Sequence, residues 1–155
     1  MRFRTHVMLG ISLFLILDLF YGIKNKIVVF VLILLFSVLP DIDLHTSYIG
    51  KKVKGFSYLF EFVLKHRGFI HSVWIPILLF TWLEQYGLGI AVAGYLSHLG
   101  LDLLTSKGIK LFWPWLKIKG PFVTGKLVDN MLFFMLLGLN LFLIIYALDY
   151  IYFFN

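Results

Sequence analysis

Six apolar runs, set apart by two longer polar stretches, organise this chain. The first segment, Met1–Gly22, opens on Arg2 and Arg4 and is almost wholly apolar from Val7 to Tyr21. The others are Ile27–Pro40, Phe56–Lys65, Phe69–Tyr86, Leu88–Leu104 and Leu132–Phe154. Apolar stretches near 20 residues long read as transmembrane helices. The pattern therefore predicts an all-α fold, a polytopic membrane helical bundle of about five transmembrane helices. Phe56–Lys65 is too short to cross and is expected as an interfacial helix. Residues 1–155 are expected to form a single integral-membrane domain.

Two of these runs need comment. Met1–Gly22 has the basic start and apolar centre of a signal peptide, but IKNKIVVF follows it and no small-x-small cleavage pattern does. Ile27–Pro40 has only 14 residues, about 21 Å as a helix against a hydrocarbon core of about 30 Å. Lys24 and Lys26 are expected to snorkel, or the Pro40 end to stop below the headgroups. The polar stretches are Asp41–Gly55 and Ser106–Asp129; the second carries Trp113, Pro114 and Trp115 in the manner of an interfacial anchor.

Composition agrees with the membrane reading. The 155 residues are 61% hydrophobic and 14% charged, and mean hydropathy is +0.93. A soluble domain is about a quarter charged. The net charge of +6 belongs first to topology, and no soluble basic domain exists to meet nucleic acid. On a five-helix map the N-terminus and loops two and four hold 12 of the 14 Lys and Arg residues. The positive-inside rule then predicts a multi-pass protein of the cell (plasma) membrane, N-terminus cytoplasmic and C-terminus outside.

The ionisable residues within or beside the runs carry the candidate chemistry. His98 and Asp102 stand four apart, so on a helix both project from one face. The same map brings His6, Asp41 and Asp43, and His66 and His71 to the ends of their helices on that same membrane face. His45 follows Asp43 there, whereas Asp18, Glu84 and Asp149 fall toward the opposite face. Ionisable groups in membrane spans are costly and commonly mark function. With no cysteine in the chain, any metal must be held by His, carboxylate or backbone oxygen. That donor set suits zinc, with manganese or iron as alternatives. His66 and His71 cannot share a regular helix face, and Gly68 permits the bend they need. Asp41 and Asp43 would point to opposite sides of an extended turn, one toward the metal and one toward a histidine.

The motifs THVMLG, LPDID, HRGFIHS and GYLSHLGLDLLTSKGIKLFWP, from Thr5 to about Pro114, resemble the YdjM-like membrane-bound metal-dependent hydrolases. A more distant similarity is to the all-helical zinc-dependent phospholipase C and P1 nuclease group. The resemblance implies Asp43 or Asp41, His71 or His66, His98 and Asp102 as metal ligands, with His6 near a second ion. This chain lacks that group's N-terminal Trp and its later His/Glu pair, so one or two ions are expected. The implied activity is hydrolysis of a membrane lipid or lipid-linked phosphoester by a metal-activated water. Asp41 or Asp43 would accept the water's proton, and Arg67 would clamp phosphate. A transporter using the same groups as a relay would need polar residues continuing to the outer face. A non-catalytic membrane protein with a structural metal is the remaining rival.

Overall fold

A computed structural model describes residues 1–43 and 68–154. Five helices carry the fold: α1 (Phe3–Tyr21), α2 (Lys26–Val38), α3 (Trp74–Glu84), α4 (Ala93–Leu103) and α5 (Leu127–Phe154). Two 3-10 helices, Leu39–Asp43 and Gly89–Val92, extend the end of α2 and the start of α4. Between α4 and α5 lies an antiparallel hairpin, β1 (Ile109–Phe112) with β2 (Leu116–Ile118).

The helices alternate in direction. Gly22 closes α1 in the left-handed region (φ +57°) and donates its N–H to the Asp18 carbonyl, a conformation glycine adopts without steric cost. The chain then turns back, so that Phe14 meets Phe30 and Gly10 meets Ser37 across an antiparallel pair. α4 runs parallel to α2, with Gly94 beside Ile33 and His98 beside Ser37. α5 runs parallel to α1: Thr5 reaches Asp129, and Ser12 reaches Asn140.

The core lies between α1, α2 and α4, around Val29, Ile33, Phe36, Tyr95 and Leu99. It continues into the hairpin at Ile109. A Cβ at Gly94 would strike the Ile33 backbone carbonyl, so this glycine sets how closely α4 approaches α2. Along α5 the pattern is reversed, with Met131, Phe134, Met135, Phe142 and Ile145 exposed. An apolar face this long is stable only in a nonaqueous setting. Asn140 anchors the helix, accepting from the Ser12 hydroxyl at 2.7 Å and donating to the Met8 carbonyl at 3.1 Å. Polar contacts of this kind hold membrane helices together.

Four expectations need correction. Among the described residues, two helices rather than five are long and apolar enough to cross a membrane, at Phe3–Tyr21 and Leu127–Asp149. α2 has 13 residues and α3 and α4 have 11 each, about 20 and 17 Å at 1.5 Å per residue. The expected Phe69–Tyr86 helix starts late because Ser72 and Val73 turn instead. The Ser72 N–H bonds Phe69, and the Val73 N–H bonds Leu111 of the hairpin. The expected Leu88–Leu104 helix opens as a tighter 3-10 turn at Gly89. The fold is also not purely helical, since the stretch expected as a polar loop contains the hairpin. The expected interfacial helix Phe56–Lys65 lies outside the described residues.

Candidate metal centre

Four segments meet at one end of the bundle. α1 contributes His6 from its first turns, and the 3-10 helix after α2 contributes Asp41. The turn before α3 contributes His71, and α4 contributes His98 and Asp102. His6, His71, His98 and Asp102 are buried, while Asp41 is half-buried. The helical spacing of His98 and Asp102 sends both toward His71, and ligand atoms of the three lie within 4.8 Å of one another. His6, Asp41 and His98 form a second group by the same measure, so His98 belongs to both.

Within the cluster, nitrogen and oxygen donors approach one another in pairs. His6 Nε2 lies 3.7 Å from Asp102 Oδ1, His71 Nε2 lies 3.8 Å from Asp102 Oδ2, and His98 Nε2 lies 3.9 Å from Asp41 Oδ1. These separations are too long for hydrogen bonds. Two ligands at about 2.1 Å from one tetrahedral zinc would stand roughly 3.4 Å apart, a few tenths of an ångström shorter. The His6 and His98 rings stack at 3.9 Å between centroids, and His71 meets His98 edge-on at 5.3 Å.

Hydrogen bonding fixes one ring. His98 Nδ1 lies 2.8 Å from the Ser37 carbonyl. A carbonyl only accepts, so Nδ1 carries the proton and a neutral ring turns its Nε2 lone pair toward Asp41. This arrangement is the usual support for a metal-binding imidazole. Both His6 nitrogens and His98 Nε2 are buried without a hydrogen-bond partner among the described residues. A buried polar atom left unpaired costs roughly 1–3 kcal/mol. The orphaned nitrogens and the nitrogen–oxygen donor set both fit a divalent ion such as zinc.

Sequence reasoning missed several neighbours. Asp102 Oδ1 accepts from the Met1 amino group at 2.7 Å, an ion pair inside the cluster. Next to His6, the Thr5 hydroxyl donates to Asp129 Oδ1 at 2.8 Å, and the Gly125 N–H donates to Asp129 Oδ2 at 2.9 Å. Asp129 is buried in the first turn of α5, where a carboxylate favours the helix N-terminus. It ties α1 and α5 together beside the cluster. Its only sequence signal was its place at the end of a basic polar stretch. Of the other expected site residues, the structure places Asp43 at the end of its 3-10 helix, with nothing described of its side chain. His45, His66 and Arg67 lie outside the described residues. Asp18 pairs with Lys26 at 2.9 Å at the opposite end of α1, as its position on the sequence map implied.

The family profile described as YdjM inner membrane protein matches residues 1–153. The chain belongs to the YdjM inner membrane protein family. Inner membrane protein YdjM of Escherichia coli (strain K12) is 34% identical over 94 residues, which are 52% of this chain and 46% of that protein. The match thus spans about half of that relative's length. The protein YvsG of Bacillus subtilis (strain 168) is 32% identical over 119 residues, 72% of each chain. No solved structure matches. With its two long apolar helices, this member of the YdjM family is a membrane protein. The phospholipase C and P1 nuclease likeness rests on the motifs alone.

Proposed function

We propose that this YdjM-family protein is a metal-dependent hydrolase of a lipid or lipid-linked phosphoester. The observation that carries the reading is the cluster of His6, His98 and Asp41 beside His71 and Asp102, in which both His6 nitrogens and His98 Nε2 are buried with no hydrogen-bond partner among the described residues. His6, His71, His98, Asp102 and Asp41 would hold one or two ions, zinc before manganese or iron. A bound divalent ion supplies Lewis-acid polarisation of a phosphoryl oxygen and acidifies a water.

The chain's own residues supply the rest. Asp41 is the most accessible of the group, with its side chain 18% exposed, so it can take a proton from water and pass it on. Asp43 is the other candidate for that role. Arg67 supplies a planar fork for phosphate. The alternating helix directions support a multi-pass topology of five crossings, with the cluster end and the N-terminus in the cytoplasm.

The Met1–Asp102 ion pair favours a second reading, in which the cluster is a structural polar knot without catalysis. Elemental analysis of detergent-purified protein, paired with assays on lipid phosphoesters with and without chelator, separates the two. Stoichiometric zinc and chelator-sensitive turnover are expected. A folded protein that stays metal-free and inert after zinc or manganese is added ends the hydrolase reading.

A further inference from the structure

The hairpin between α4 and α5 carries a second site, independent of the chemistry at the histidine cluster. A cavity of about 400 Å³ lies against it, lined by Lys107, Lys110, Lys117 and Lys119, with Ser106, Gly108 and Ile109. No acidic residue lines it. Lys110 and Lys117 stand one step beyond the paired residues Ile109 and Ile118, which puts like charges on facing strands, an arrangement that costs free energy. Gly108 tightens the group further. It turns at φ +65°, and a Cβ there would strike the Ile118 carbonyl and press on the Lys119 side chain. Lys107, next to Gly108 in the chain, lines the same cavity as Lys119. Among the described residues no carboxylate pairs with these four lysines, so an anion entering the cavity would meet concentrated positive charge.

The hairpin tip indicates where that anion comes from. Trp113 and Trp115 sit at the turn, 36% and 80% exposed. Trp113 is braced from behind: its carbonyl accepts from Trp74 Nε1 at 3.1 Å, and Phe69 packs edge-on at 5.8 Å. Exposed tryptophans on a membrane protein settle at headgroup depth. Lysines beside them then lie level with the lipid phosphates, where each basic residue is attracted to anionic lipid. We propose that the hairpin is a binding site for the phosphate-bearing headgroup of an anionic membrane lipid, the lysines meeting the phosphate and the tryptophans the glycerol and upper acyl region.

The test uses the full chain in detergent micelles doped equally with phosphatidylglycerol and phosphatidylcholine, with retained lipid counted by native mass spectrometry. Wild type should retain phosphatidylglycerol over phosphatidylcholine by roughly five-fold or more, since four lysines act together. Replacing all four lysines by glutamine should bring the ratio near one, and replacing them by arginine should preserve it. Should the fourfold glutamine variant fail to fold, the pair Lys107→Gln and Lys119→Gln, both outside the strands, should still halve the ratio. Equal retention of the two lipids by wild type, or an unchanged ratio in the folded glutamine variants, overturns the proposal. Inorganic phosphate at the lipid's own concentration should leave the adduct in place. If it strips the lipid, the cavity is a free-anion site and the headgroup assignment fails.

Discussion

His98 is the residue on which the candidate centre turns, because both ligand groups share it. His98→Ala and Asp102→Asn should each deplete bound metal, and the double variant should lose little more, as residues acting as a unit are not additive. Asp149→Asn, exposed on α5, should leave metal content unchanged. Asp18→Asn should do the same, its pair with Lys26 being worth about 1 kcal/mol or less. Elemental analysis after size exclusion reads all five variants. Acidification should act in the same sense as ligand removal. An imidazole must be neutral to bind metal, so occupancy should fall on acidification; a titration followed by metal release checks the sign. At this scale the sequence was informative. The four-residue spacing of His98 and Asp102 survives as one helical face, and His6, Asp41 and His71 lie beside them. Asp129 was not legible, because its partners Thr5 and Gly125 lie over a hundred residues away or across a turn.

Among the elements, the packing of α4 on α2 decides whether the centre assembles. Gly94→Ala places a methyl against the rigid Ile33 carbonyl and should destabilise by about 1–3 kcal/mol. It should also displace His98 from the Ser37 carbonyl and reduce metal content. Gly10→Ala meets the Ser37 side chain, Oγ at 2.9 Å and Cβ at 3.1 Å, rather than backbone, so its effect should be smaller. Thermal unfolding and elemental analysis of the two variants give the comparison; equal losses would show that helix approach is not controlled at Gly94. Helix existence was legible from apolar runs, but helix ends were not. Hydropathy sees no difference between Phe69–Val73 and the residues of α3, yet Val73 gives its N–H to the hairpin rather than to a helical turn. The hairpin itself was hidden in a stretch whose lysines and tryptophans read as loop.

For the whole molecule, the direction of α5 relative to α1 is the informative feature. Two parallel helices that both cross a bilayer require the chain between them to return to its starting side. α2 runs back along α1 and ends at the cluster, the direction that such a return needs. With no native cysteine, single cysteines report on this directly. Cysteines replacing Lys52 and Lys119 should react with an impermeant thiol reagent only from the cytoplasmic side, and one replacing Asn155 only from outside. Labelling of positions 52 and 119 from opposite sides would break the five-crossing topology. Positive charge in the loops is the sequence argument for this orientation, which the labelling tests; the short α2, α3 and α4 could not be foreseen, because apolar runs continue through their 3-10 and turn segments.

Those unequal lengths shape the lipid as well as the protein. The 28 residues of α5 extend about 42 Å, whereas α2 without its 3-10 extension reaches about 20 Å. A bilayer meeting both must thicken or tilt the one and pinch inward around the other, at a modest cost for each ångström of mismatch. On the five-crossing topology the pinched flank is the one formed by α2, α3 and α4, which is also where the histidines gather. On that topology the boundary between water and hydrocarbon would dip there, and the phosphate of a bound lipid would be carried toward His98 while its acyl chains remained in oil.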